Sequence, residues 1–244
     1  MIFVGYALAI VIGISLGLLG GGGAILTVPV LVYVLGTGVK QAVPMSLVVV
    51  GATSLTGVVH HSRAGNVDWR SILSFGPAAI LGSLLGAALA LRVSGHLQLV
   101  IFGVVLIAAA ISMLRSSPVD EIRRQAHPAI LALIGAAVGV LTGLIGVGGG
   151  FLYVPALALL GGLEMRRAVG TSLGLIAISC AAGLLGYLGR MPIDWQVVLI
   201  FGLLAFLGVR IGTALVPRVS QAALRKAFAG LLLVIGIVVL ITGE

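Results

Sequence analysis

Two runs of glycine are the features of this sequence best suited to binding chemistry. Residues 20–23 read GGGG and residues 146–150 read GVGGG, each inside an apolar stretch. Each glycine destabilises a helix by about 1 kcal/mol relative to alanine, so both runs predict a break. A helix that restarts after a break presents free N–H groups and the positive end of its dipole, which together favour anions. The pattern indicates noncovalent capture of an anion, with close helix packing as the alternative.

Hydroxyl side chains at the start of the next predicted helix of each half could add hydrogen bonds to such an anion. Ser46 and Ser172 hold equivalent places, and Thr171 precedes Ser172. The alternative is a bond to a neighbouring helix or to the local backbone, which is common in membrane helices. The predicted anion site combines these hydroxyls with the restarted helix ends: Gly22, Gly23, Ala24, Ser46, Gly148, Gly149, Gly150, Thr171 and Ser172.

One intramembrane charge and two adjacent histidines are the remaining candidates. Arg210 lies well inside an apolar run, where charges are costly and usually functional, although a long side chain can also reach the interface. We expect it to contact the substrate or its pathway. His60 and His61 close an apolar segment beside Arg63 and could relay protons. Interfacial histidines at a helix end are the alternative.

The composition indicates which elements must position these residues. Of 244 residues, 60% are hydrophobic and only 8% are charged, against about 25% charged in a soluble domain. Several runs approach the 20 or so apolar residues that cross about 30 Å of hydrocarbon. The sequence therefore predicts an all-α, polytopic integral membrane protein. The net charge of +8 lies mostly at segment ends, which is typical of membrane topology and not of nucleic-acid binding.

Motifs for metal, cofactor or nucleotide chemistry are absent from the sequence. It contains no HExxH pattern, no carboxylate cluster within an apolar segment and no GxxxxGK[ST] loop. The single cysteine, Cys180, can form neither an intramolecular disulfide nor a cysteine metal site. We therefore expect no metal, no cofactor and no enzymatic activity, and we expect a proton or sodium gradient to drive any transport.

An internal repeat organises the whole chain. A shift of 126 residues aligns 17–92 with 143–218 without a gap and with 27 identical residues. The matches include proline, aspartate, tryptophan and arginine, so shared glycine and leucine do not explain them. We expect an N-terminal repeat at 1–114, a cytoplasmic linker at 115–127 and a C-terminal repeat at 128–244.

Each repeat reads as a glycine-broken element followed by three continuous apolar runs. If the broken element crosses the membrane once, the repeats are parallel, and the Lys and Arg residues divide seven against six between the two sides. If it folds back as a re-entrant pair of short helices, the repeats are inverted and the division is ten against three. The second division fits the positive-inside rule, so we expect inverted repeats with both chain ends outside.

The duplicated motifs also resemble a known family. GLIGVGGGFLYVPAL (143–157), its mate GLLGGGGAILTVPVL (17–31), AVGTSL (168–173) and the Asp-Trp pairs at 68–69 and 194–195 are similar to the TauE/SafE sulfite exporter family. This family is also called TSUP, for toluene-sulfonate uptake permeases. The first repeat departs from the pattern at Gly21 and at Pro44-Met45, so the two halves need not contribute equally to a site.

The resemblance implies a transporter in the inner membrane of a bacterium or archaeon. Its substrates would be small sulfur-containing or organic anions, such as sulfite and sulfonates including sulfoacetate. Together with the helix breaks at the two glycine runs, the resemblance predicts a secondary transporter that holds its anion near the bilayer midplane. A passive anion channel is the alternative, and a membrane-embedded enzyme is a weaker one. The anion, the direction of transport, the coupling ion and the oligomeric state are left open.

Overall fold

The computed structural model describes residues 2–115, 128–146 and 150–242, and this part of the chain contains helices and turns but no strands. The predicted all-α class is therefore confirmed. The helices of the first half are α1 (Ile2–Leu19), α2 (Gly22–Pro29, continued by a π-helical turn Val30–Val34), α3 (Val39–Arg63), α4 (Trp69–Ala90) and α5 (Gly95–Arg115). Those of the second half are α6 (Pro128–Ile145), α7 (Gly150–Pro155, continued by a π-helical turn Ala156–Leu160), α8 (Met165–Tyr187), α9 (Trp195–Leu215, followed by a 3₁₀ turn Val216–Arg218) and α10 (Gln221–Thr242).

Six helices within the described residues are long and apolar enough to cross a bilayer, namely α3, α4, α5, α8, α9 and α10. Shorter apolar helices occupy Val4–Leu19, Gly23–Val34 and Ala129–Ile145. The chain is a multi-pass membrane protein, as its composition predicted. The linker prediction falls mostly on residues 116–127, outside the described part, and Arg115 is the last residue of α5.

Local sequence explains where several helices begin and bend. Asp68 accepts a hydrogen bond from the Ser71 N–H, and Asp194 accepts from the N–H groups of Gln196 and Val197, so each caps the helix that follows. Proline has no N–H, and the π-helical turns start directly after Pro29 and Pro155. The aspartate caps that the sequence predicted are therefore present.

The first glycine break makes a helical hairpin. Gly20 has φ +72°, a left-handed conformation that suits glycine, and it turns the chain between α1 and α2. Gly23 packs on Ile12 and Leu16, while a Cβ built on Gly5 would lie 2.7 Å from Leu35. Because the early residues of α1 meet the late residues of the π-helical turn, the chain returns to the end of the molecule where it began. In the second half, Gly146 has φ +78° at the equivalent place.

Contacts between the two halves occur in pairs whose members are related by the 126-residue shift of the sequence repeat. Gly57 of α3 packs on Leu173 of α8, and their mates Gly183 and Leu47 also touch. These contacts run in opposite directions along α3 and α8, so the two repeat mates are antiparallel. Likewise α1 packs against α9, and their mates α6 and α4 pack against each other. The two halves thus exchange partners around a pseudo-twofold axis. The inverted order across a bilayer stays a prediction that this geometry supports.

Candidate functional site

Each predicted serine lies against the glycine break of the opposite half. The Ser46 hydroxyl on α3 contacts the carbonyl oxygen of Gly146 and lies 2.8 Å from that of Val43. Ser46 is completely buried. A hydroxyl carries one proton, so Ser46 donates it to one of two backbone carbonyls in this conformation. The break of the second half is thereby tied to the third helix of the first half.

The mirror contact joins Ser172 to the first break. A Cβ built on Gly20 would lie 2.7 Å from the Ser172 Oγ, and this hydroxyl donates to the Val169 carbonyl at 2.7 Å. Ser172 is also completely buried. Both serines lie about two turns inside their helices, because α3 and α8 start at Val39 and Met165, earlier than the sequence suggested. The structure therefore brings Ser46 and Ser172 to the breaks.

Thr171 points its hydroxyl elsewhere. Its Oγ1 accepts a hydrogen bond from the Asp68 N–H at 2.8 Å, in the segment between α3 and α4. Arg167 lies 4.0 Å from the Asp68 carboxylate, which adds a partly exposed ion pair at the same place. Such exposed pairs contribute little stability. In this conformation Thr171 holds the two halves together and is not directed at a break.

The glycines of the first break are tightly packed. A Cβ built on Gly23 would overlap the Ile12 carbonyl oxygen, so only glycine fits between α2 and α1. Ala24 is completely buried and Gly22 begins α2. In the second half Gly150 begins α7, while Gly148 and Gly149 lie outside the described residues. Close packing, the alternative reading of the glycines, therefore holds at Gly23 and is compatible with anion binding.

The two histidines occupy different environments. His61 is 1% exposed, and its Nε2 lies 3.4 Å from the Gly17 carbonyl oxygen of the first hairpin. Its Nδ1 has no hydrogen-bond partner in the part of the chain that the structure describes. His60 is exposed and points into a cleft between α3 and α9. Only His61 is thus placed beside a broken helix, and the proton relay stays a prediction.

Arg210 is not grouped with the glycine breaks. Its exposed side chain lines the α3/α9 cleft, which has a volume of about 520 Å³. His60 and Arg63 line the same cleft from α3, while Ser46 and Ser172 do not. The predicted site residues therefore lie in two places. Ser46 and Ser172 meet the glycine breaks at Gly146 and Gly20, a buried region called the crossing below. Arg210 instead lines the open cationic cleft.

Sequence reasoning missed a second buried polar group beside the crossing. The Tyr153 hydroxyl of α7 lies 2.7 Å from the Ser179 hydroxyl, and Ser83 donates to the Ser179 carbonyl at 2.7 Å. Tyr187 donates to the Gly143 carbonyl at 2.7 Å. These bonds tie α7 and α6 to α8. Tyrosines inside apolar segments were the available signal, because a buried phenol needs a partner.

Six helices long and apolar enough to span a bilayer, one glycine-turned hairpin and an internal sequence repeat define a duplicated multi-pass membrane protein. The family model for the sulfite exporter TauE/SafE matches residues 6–239. The chain belongs to that family, as its motifs predicted.

Relatives from bacteria and archaea agree with this assignment. A probable membrane transporter protein of Xylella fastidiosa (strain 9a5c) is 32% identical over 238 residues, covering 94% of this chain and 91% of the relative. One from Methanocaldococcus jannaschii is 28% identical over 254 residues, covering 96% and 95%. The probable membrane transporter protein YdhB of Bacillus subtilis is 29% identical over 235 residues, covering 91% and 96%. No solved structure matches the chain significantly.

Proposed function

We propose that the chain is a secondary transporter of small sulfur-containing or organic anions, such as sulfite and sulfonates, and that it is not an enzyme. The observation that carries the proposal is the reciprocal contact of Ser46 with Gly146 and of Ser172 with Gly20. It places a buried hydroxyl beside each turn from which a helix restarts. The family description supports a sulfur oxyanion as substrate, and the names of the relatives support transport.

In this conformation the serine hydroxyls are buried and bonded to backbone carbonyls. An anion can accept hydrogen bonds from these hydroxyls only after α3 and α8 shift against the glycine turns. The restarted helices would then offer N–H groups, and Ser46 and Ser172 would offer O–H groups, without a full buried positive charge. Such a cycle would include the present arrangement as its closed state.

Inverted repeats would supply the movement. The antiparallel packing of α3 on α8 supports a pseudo-twofold axis in the membrane plane, about which a rotation would approximately relate an outward-open and an inward-open state. Movement of one repeat or helix bundle against the other would expose the crossing to each side in turn. A proton or sodium ion would couple the cycle to a gradient, and His61 beside Gly17 is the proposed proton acceptor.

The first experiment is uptake of labelled sulfite into liposomes that contain the purified protein, with unlabelled sulfonates and carboxylates as competitors. We expect flux above that of empty liposomes, and acceleration of labelled uptake by unlabelled substrate inside. Flux without such counterflow would favour the passive channel. No flux with any of these anions, under a pH gradient or a sodium gradient, would refute the proposed substrate class.

The serines provide the matched test of the site. We expect Ser46→Ala and Ser172→Ala to abolish uptake while each variant still inserts and elutes as a folded protein. Ser74→Ala is the control, because Ser74 is an exposed serine that donates to the Arg70 carbonyl of its own helix. If both Ser46→Ala and Ser172→Ala took up sulfite at the wild-type rate, the anion would not bind at this site.

A further inference from the structure

The groove between α3 and α9 is lined by basic side chains at one end and by apolar side chains at the other. Its cationic half is the 520 Å³ cleft lined by His60, Arg63 and Arg210. Its apolar half is a neighbouring cavity of about 270 Å³, and Phe206 lines both. The apolar half is lined by Val48, Val49, Ala52, Thr53, Val198, Leu199, Gly202, Leu203 and Phe206.

The groove has the length of one membrane leaflet. At 1.5 Å per residue, the stretch of α3 from Val48 to Arg63 covers about 22 Å. One leaflet contributes about 15 Å of hydrocarbon plus its headgroup layer. The cationic end coincides with the C-terminal end of α3, and the apolar end points toward the middle of that helix. A ligand that fills the groove therefore needs an anionic head and a hydrocarbon tail.

The cationic end of the groove has no carboxylate in its described lining. None of the residues that line the cleft is acidic. Arg167 pairs with Asp68, and no ion pair of Arg63 or Arg210 with a carboxylate is seen within the described residues. Arg210 lies within the helical part of α9, five residues before its end. An anion in the cleft would give these guanidinium groups a partner at the depth of a lipid headgroup.

The internal repeat shows that the cations are not part of the duplicated machinery. The positions equivalent to His60, Arg63 and Arg210 are Gly186, Gly189 and Leu84. The equivalent helix pair, α8 and α4, lacks these basic side chains and would face the other leaflet if the repeats are inverted. The cations lie on the arginine-rich side, which is predicted to be cytoplasmic. Anionic lipids are the expected partners of such basic sites.

We propose that this groove binds an anionic phospholipid, with its phosphate against Arg63 and Arg210 and an acyl chain along the apolar half past Phe206. The binding does not depend on the identity of the transported anion. Its role would be to stabilise α3 against α9 from one leaflet only.

The test is thermal unfolding of the purified protein in detergent with added phosphatidylglycerol, phosphatidylcholine, inorganic phosphate or sulfite. We expect phosphatidylglycerol alone to raise the melting temperature by several degrees. The double variant R63Q/R210Q should lose this rise, while R70Q should keep it, because Arg70 is an exposed arginine at the same side but outside the groove. An unchanged rise in R63Q/R210Q would overturn the proposal.

Two further results separate the lipid from other ligands. If phosphate or sulfite gave the same rise as phosphatidylglycerol, and R63Q/R210Q abolished it, the cleft would be a small-anion vestibule and the lipid proposal would fail. The second measurement is fluorescence of F206W with lipids brominated on the acyl chain. We expect brominated phosphatidylglycerol to quench this tryptophan more strongly than brominated phosphatidylcholine, relative to the parent protein. Equal quenching by the two lipids would contradict selective binding.

Discussion

A single substitution should lock the two halves together. A Cβ built on Gly51 of α3 lies 3.1 Å from the Cβ of Cys180 on α8, and Cys180 is the only cysteine in the sequence. Disulfides have Cβ···Cβ distances of about 3.5–4.5 Å, so Gly51→Cys needs a local separation of about 0.4 Å. We expect a disulfide to form under a membrane-permeant oxidant such as copper phenanthroline, because no large backbone movement is required.

The disulfide would tie α3 to its repeat mate at the point where they pack. If transport requires one half to move against the other, uptake should fall in proportion to the fraction of cross-linked molecules, and a reductant should restore it. Labelling of the denatured protein with a polyethylene glycol maleimide measures that fraction, because reduced chains gain two mass tags and cross-linked chains gain none. Labelled sulfite uptake is measured on the same liposomes.

Two controls separate the cross-link from the substitution. Gly51→Ala tests the effect of the added Cβ, and G51C/C180A retains the new thiol without a partner. We expect oxidant to leave uptake by both unchanged. Full uptake by G51C molecules that accept no mass tag would refute the reasoning, because α3 and α8 would then stay together throughout the cycle.

Two predictions concern stability and are measured by thermal unfolding in detergent. Gly208→Ala should destabilise the protein by about 1–3 kcal/mol, because its Cβ would overlap the Ile10 carbonyl oxygen, whereas the control Gly230→Ala meets no atom within 4 Å and should cause no loss. A melting temperature of Gly208→Ala equal to that of Gly230→Ala would contradict the close approach of α1 and α9. Asp194→Ala should lower the free energy of unfolding by about 1 kcal/mol, because it removes the cap on the Gln196 and Val197 N–H groups. Asp194→Asn should retain most of that stability, because asparagine is also a good N-cap. If the Asn variant loses as much as the Ala variant, the cap is not the source of the effect.

The repeat pattern was sufficient to predict the helical class, the two breaks and the aspartate caps, because these depend on local spacing and residue type. It placed Ser46 and Ser172 near glycine turns but did not show that each serine serves the turn of the opposite half. Which turn each serine meets depends on how α3 and α8 pack across the pseudo-twofold axis. Aligning the sequence of one half with that of the other gives no information about this packing. The direction of the Arg210 side chain could not be predicted for the same reason. Its position in an apolar run indicates depth, while its direction depends on neighbours such as His60.

The exchange of partners between the halves also affects how the protein must be synthesised and how it arose. The first hairpin lays its glycines against α9, which begins at Trp195, so most of the chain must be made before α1 acquires its permanent neighbour. Until then the lipid itself must cover the bare backbone face of α1. A half-length ancestor would have lacked that neighbour within its own chain. If the repeats are inverted, such an ancestor would have needed a second copy inserted the opposite way, and the single chain now supplies both copies.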